Sequence, residues 1–155
     1  MAEQHQLTPL RPLRQSDLES LAWLPAVADD IGCEGWSTGN ALRAAIDGDR
    51  ALVPDLDAPE ALVAYETGAP ERRAARVRFL AVRPERRRLG IGGHTALALE
   101  ERLAPSAERL YVLVPARIGL ALYFWLRLGY RPLTQRDWPA PPEEPPAVWM
   151  VRSLR

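Results

Sequence analysis

Residues 77–104, VRFLAVRPERRRLGIGGHTALALEERLA, constrain this chain more than any other stretch. Residues 77–82 form an apolar run that reads as a strand. Leu97, Leu99 and Leu103 read as the apolar positions of a helix that Pro105 ends. Arg87-Arg88-Leu89-Gly90-Ile91-Gly92 joins the two. Glycines at such a joint let a ligand come close to the backbone. The amides of a first helical turn point outward at the positive end of the helix dipole. Arginines alongside bring charge and a fork of donors that matches phosphate oxygens. The joint is therefore a candidate anion site.

The flanking sequence predicts what surrounds it. Residues 7–14 read as an edge strand that tolerates prolines. Ser16 and Glu19 make a capping-box pattern for a helix through Leu21 and Ala22 that Pro25 bends or ends. A second helix spans about residues 40–46, with Asp47-Gly48-Asp49 as its stop. Residues 51–53 and 61–65 are short strands, and residues 110–114 a buried one. Residues 118–128 form an apolar helix closed by Gly129, and residues 130–133 and 147–151 are the closing strands around a Pro-rich loop. The order β, α, α, β, β, β, α, β, α, β, β predicts an α/β (α+β) fold. Its mixed sheet has antiparallel early strands and a βαβ crossover from residue 77 to residue 110. No repeat or composition shift divides residues 1–155, so a single domain is expected.

Composition narrows the function. Twenty basic and twenty acidic residues cancel, which argues against a nucleic-acid partner recruited by bulk charge. Every basic residue is Arg, so no lysine can form a Schiff base or complete a phosphate-loop motif. Cys33 stands alone, which excludes an internal disulfide and a cysteine zinc cluster. With only His5 and His94 besides, no metal is expected. No apolar run approaches a membrane span and Glu3 precedes no leader-like segment, so a soluble, cytoplasmic protein is expected. A dinucleotide fold would place its glycine turn in the first βα unit, whereas this turn follows the fourth strand.

Residues 82–92, VRPERRRLGIG, resemble the acyl-CoA pyrophosphate loop of the GNAT N-acetyltransferase superfamily, and residues 121–130, ALYFWLRLGY, resemble its later helix ending in Gly-Phe or Gly-Tyr. The element order is similar over essentially the whole chain. The resemblance implies a GNAT-like fold and an N-acetyltransferase using acetyl-CoA as co-substrate on a primary amine, most simply of a small molecule. It implies that Leu80, Ala81 and Val82 flank the pantetheine arm and the acetyl carbonyl, where the central strand splays from its neighbour. Arg87, Arg88, Leu89, Gly90, Ile91, Gly92 and Gly93 would hold the pyrophosphate. His94, at the start of the helix, would touch phosphate, and Phe124 would flank the arm from the next helix.

The family's frequent tyrosine acid aligns with Trp125, which has no useful acidity, and its frequent asparagine with Ile118. Tyr123 is then the candidate acid, with solvent as the alternative. The carboxylate that some members carry aligns with Arg76, so Glu34, Asp30 or Glu66, acting through water, are the candidate bases. Trp23 and Trp36 fall in the segment that forms the family's acceptor wall; Cys33 reads as a small buried residue. Three rivals stay open: transfer to a small amine, transfer to a protein N-terminus or lysine, and an acyl-CoA sensor that has lost its acid and base. A homodimer is common in the family. If Trp36 lines the acceptor pocket, Trp36→Ala raises the acceptor KM; an unchanged KM in steady-state kinetics removes it from the pocket.

Overall fold

The computed structural model describes residues 8–26, 39–48, 50–86, 90–141 and 147–155. Its centre is a seven-stranded sheet in the order β1-β2-β3-β4-β5-β7-β6. The strands are β1 (Leu10–Pro12), β2 (Ala51–Pro54), β3 (Ala61–Thr67), β4 (Ala74–Val82), β5 (Arg109–Pro115), β6 (Arg131–Pro132) and β7 (Ala147–Ser153). Three helices, α1 (Gly39–Asp47), α2 (Ile91–Leu103) and α3 (Gly119–Arg127), are described in full. All neighbours pair antiparallel except β4 and β5, which are parallel and joined through α2. The expected fold class and crossover are present.

The two faces of the sheet bury different clusters, as the two-residue side-chain period of a strand requires. On one face Val63, Ala75, Val77, Leu110, Val112 and Met150 pack against Ala96, Leu99 and Leu103 of α2 and Trp125 of α3. On the other, Val53, Leu62, Ala64, Phe79 and Ala81 pack against Leu42 and Ala45 of α1 and against Leu13, Leu21 and Leu24. Tyr111, Trp149 and Val151 continue that second face beneath Trp138.

The anomaly that makes a site lies in β4. Ala64 pairs with Phe79 but Tyr65 pairs with Val77, so Arg78 is an extra residue opposed by nothing on β3. A bulge of this kind reverses the alternation beyond it. Ala75 and Val77 belong to the cluster under α2, whereas Phe79 and Ala81, at the same parity, belong to the opposite cluster. Leu80 and Val82 consequently turn toward the α2 side: Leu80 packs against that cluster, and Val82 lies near the first turn of α2.

The first predicted helix is not formed where expected. The chain makes two short 3-10 turns, Gln15–Asp17 and Glu19–Leu21, before residues 24–26 become helical. Asp17, not Ser16, sets this geometry. Its carboxylate accepts the Arg14 backbone N–H at 2.8 Å and both arms of the Arg11 guanidinium at 2.7 Å. That bidentate pair anchors the turn to β1 and leaves Ser16 no helix to cap. β4 in turn begins earlier than the apolar run suggested, because Ala75 and Arg76 find partners on both sides, in β3 and in β5, and Ala74 pairs with Arg109 of β5.

Asp17 is 2% exposed and its carboxyl is held below the usual range by the Arg11 guanidinium. Asp17→Asn removes the bidentate carboxylate from a mostly buried arginine that keeps Asp55 at 3.3 Å and the Leu56 carbonyl at 3.0 Å, and is expected to lower the unfolding free energy by about 2 kcal/mol in denaturant titrations near neutral pH. The pair's contribution is complete above about pH 4 and disappears as pH falls through the lowered folded-state value, so wild type and variant converge in strong acid.

Candidate functional site

The ladder between β4 and β5 runs from Ala74↔Arg109 to Val77↔Val112 and stops there, one residue short of the bulge. Each strand continues with its outer neighbour, β4 to Val82 against Ala61 of β3, and β5 to Pro115 against Ala147 of β7. The sheet is thereby split into a V at its centre. In that stretch the inner edge of β4, including Leu80, Ala81 and Val82, faces β5 without a ladder. Hydrogen-bonding groups along such an edge are available to an extended ligand in the way an edge strand's are.

The glycine turn ends beside this V. Gly90 is the N-cap of α2 with φ 79°, a left-handed conformation that a side chain would strain. No side chain caps the helix and no acidic residue occupies its first turn. His94 N–H returns to the Gly90 carbonyl at 3.0 Å, which closes the first intrahelical bond. The amides before it, on Ile91, Gly92 and Gly93, are the ones that a helix leaves without intrahelical acceptors. His94 itself is exposed in this turn, next to the positive end of the dipole. The described arginines nearby already have carboxylates: Arg83 meets Glu85 at 3.1 Å and Arg86 meets Glu60 at 2.9 Å.

Phe124 closes the seam between α2 and α3. A Cβ built on Gly92 would lie 3.2 Å from the Phe124 ring and 3.4 Å from Val82, so a side chain there would make the ring or the helix give by a few tenths of an ångström. Three residues predicted to share a site, Val82, Gly92 and Phe124, are in fact together.

Trp125 and Tyr123 are placed by the way α3 ends. The Gly129 N–H bonds the Leu126 carbonyl and the Tyr130 N–H the Trp125 carbonyl, with Gly129 at φ 95°. This is the Schellman ending, whose usual companion is an apolar contact between the residues at the positions of Trp125 and Tyr130. Their rings meet edge to face at 4.9 Å. Trp125, 5% exposed, is thus the anchor of the helix end, in the position where the family often carries an acid. Tyr123 is 59% exposed and lies under the Arg127 guanidinium at 5.6 Å. It points to solvent, away from the face that carries Phe124 and Trp125.

The face expected to meet the acceptor is that of Phe79 and Ala81. Trp23 packs there with Leu21, Leu24 and Phe79, and its indole N–H is buried with no acceptor among the described residues. Glu66 sits opposite Arg76 and is bound by two guanidiniums, Arg78 at 3.3 Å and Arg76 at 3.8 Å. Arg76 also lies 5.1 Å from the centre of the Trp149 ring. Asp30, Cys33, Glu34, Trp36, Arg87, Arg88 and Leu89 lie outside the described residues. Sequence reading missed the bulge at Arg78; its trace is the change from alternating Ala75-Arg76-Val77-Arg78 to the unbroken apolar run of residues 79–82. It also missed the partners of Glu100, described below. No group of three metal-ligating side chains occurs among the described residues, and none of their helices is long and apolar enough to cross a membrane.

Trp125→Ala is expected to cost about 3–5 kcal/mol in stability, because it removes a core ring and the helix anchor together. Tyr123→Phe should change it by less than about 0.5 kcal/mol. Urea unfolding of both variants distinguishes anchor from surface residue.

No protein-family model and no curated protein matches the sequence. Solved structures do. The N-acetylglutamate synthase from Neisseria gonorrhoeae, solved with coenzyme A and N-acetyl-glutamate, superposes with a TM-score of 0.73 at 16% identity over 94% of this chain. This chain spans only 35% of that synthase. An acetyltransferase of the GNAT family from Staphylococcus aureus Mu50 gives 0.71 at 12% identity, covering 94% of this chain and 98% of the other. The ribosomal-protein-S18-alanine N-acetyltransferase from Escherichia coli gives 0.66 at 18% identity, covering 94% and 92%. Likeness at these identities is a likeness of fold, and the split mixed sheet with its glycine-started helix gives this chain the fold of the GNAT acetyltransferases.

Proposed function

We propose that this chain is an N-acetyltransferase that moves an acetyl group from acetyl-CoA to a primary amine of a small acceptor, with residues 1–155 acting as one catalytic unit. The observation that supports it most directly is the β4–β5 ladder that stops at Val77↔Val112 beside the uncapped start of α2. A pantetheine arm needs a strand edge to lie along, and a pyrophosphate needs amide donors with no competing carboxylate. One strand–turn–helix offers both.

The residues present fit that co-substrate. Leu80, Ala81 and Val82 would border the arm, residues 87–93 the pyrophosphate, His94 its rim, and Phe124 the wall opposite Val82. Acetyl-CoA supplies an acyl group already activated as a thioester. The chain's part is to hold the acetyl carbonyl where an N–H of the β4 edge meets the negative charge that grows on its oxygen, and to bring the amine close in neutral form. Glu66, opposite Arg76 and paired with Arg78 at the bulge, is the candidate base among the described residues, acting through water. A thiol ionises near pH 8.5, so solvent suffices to protonate the leaving sulfur. That removes the need for a dedicated acid, in keeping with a buried Trp125 and an outward Tyr123.

The same Trp125 observation favours one rival, an acyl-CoA sensor without turnover. Two measurements separate the readings. A ligand that binds only the folded state at about 100 times its Kd adds about 2.7 kcal/mol of stability. Acetyl-CoA is therefore expected to raise the melting temperature by several degrees; no shift at millimolar ligand overturns both readings. Thiol release above the hydrolysis background, across a panel of small amines and peptides, then marks the enzyme. Its absence leaves the sensor.

A further inference from the structure

We propose that Glu100, Tyr130 and Arg152 form a polar latch that fixes α3 against α2 and so sets the width of the Gly92–Phe124 seam; the inference rests on the reading of that seam as the co-substrate's wall. Glu100 lies on the buried side of α2 with Ala96, Leu99 and Leu103, where an apolar residue is expected, and is 8% exposed. The Tyr130 hydroxyl donates to its Oε1 at 2.8 Å. Arg152, reaching from β7, approaches both carboxylate oxygens at 3.4 Å and donates through the same Nη1 to the Leu128 carbonyl at the end of α3. Its guanidinium also lies against the Gly129 turn, 3.8 Å from where a Cβ would stand.

The Tyr130 and Leu128 contacts tie the C-terminal end of α3 to α2 and to the sheet, and the Arg152–Glu100 pair joins the two. The other tie between the helices is apolar: Gly92 to Phe124, and Gly93 to Leu128 at 3.7 Å from a built Cβ. Gly92 and Glu100 stand about two turns apart on α2. Apolar contacts such as these, and Trp125 in the core it shares with Ala96 and Leu99, hold a short helix down without fixing its angle; a directional polar contact fixes it. α3 has nine residues and no stability of its own to resist rolling. Burial pushes the Glu100 carboxyl up despite its two donors, and burial beside that carboxylate pushes the Tyr130 hydroxyl up. An ion pair kept in such a place is a poor source of stability compared with apolar residues of similar volume, while it does impose one geometry. These three are positioning residues; none borders the V.

The triple variant Glu100→Leu/Tyr130→Phe/Arg152→Met tests this, because it replaces the latch with apolar side chains and leaves only the Leu128 carbonyl, at the end of α3, without its side-chain donor. It is expected to melt within a few degrees of the wild type, or higher, yet to bind acetyl-CoA about tenfold more weakly. The loss should fall on the acetyl-CoA KM, with kcat and the acceptor KM changed less than threefold. Tyr130→Phe alone, which removes one hydroxyl, should give a smaller loss of the same kind, and Arg152→Lys should retain most of the affinity that Arg152→Met loses. If the triple variant does not fold, the Tyr130→Phe and Arg152→Lys pair carries the test. Unchanged acetyl-CoA affinity in folded latch variants beside a wild type that binds overturns the latch and leaves the proposed function standing. A wild type that does not bind acetyl-CoA overturns both.

Discussion

The hydrogen-bond ladder between β4 and β5 ends at Val77↔Val112, and the extra residue of β4, Arg78, follows at once. Parallel strands in the middle of a sheet ordinarily stay paired to their ends, since each buried amide and carbonyl needs a partner. Here the bulge rotates the last part of β4, and its outer neighbour β3 still satisfies one edge through Val82↔Ala61. The inner edge opens. That rotation also sends Phe79 and Ala81 to the α1 side and Leu80 and Val82 to the α2 side. One inserted residue therefore creates the opening and assigns its two walls.

Everything downstream depends on holding α2 and α3 over that opening. Gly92 lets the helices meet closely at Phe124, where a side chain would make the ring or the helix give at the place where the strand edge ends. The far end of α3 is closed by the Trp125–Tyr130 stacking and by Arg152 on the Leu128 carbonyl. Apolar contact supplies the attraction, but it is not directional; the polar group among Glu100, Tyr130 and Arg152 supplies direction. A carboxylate on the core side of a helix is thus consistent with a demand for geometry rather than for stability.

Much of the candidate site could be read from local sequence. The strand and helix on either side of residues 83–90, the stop at Pro105 and the cap at Gly129 all follow from short-range patterns, and the structure has them. Where local signals competed with distant partners, the partners won. Ser16 and Glu19 look like a helix start, yet Asp17 is claimed by Arg11 on β1 and the segment winds into 3-10 turns. Position 125, where the resemblance implies an acid and the sequence has an indole, is a local matter: Trp125 packs on Tyr130 five residues on, as a Schellman ending favours.

The sequence by itself determined the order of elements, the parallel crossover and the glycine-started helix, because hydrophobic period, proline and glycine act within a few residues. It also excluded lysine chemistry and a cysteine metal cluster by composition alone. Tertiary structure alone decided where the β4–β5 ladder stops, which faces Leu80 and Phe79 take, and that Glu100 is met by Tyr130 and Arg152. Those outcomes depend on hydrogen bonds and contacts between residues far apart in the chain, and no local pattern encodes how such pairings register against one another.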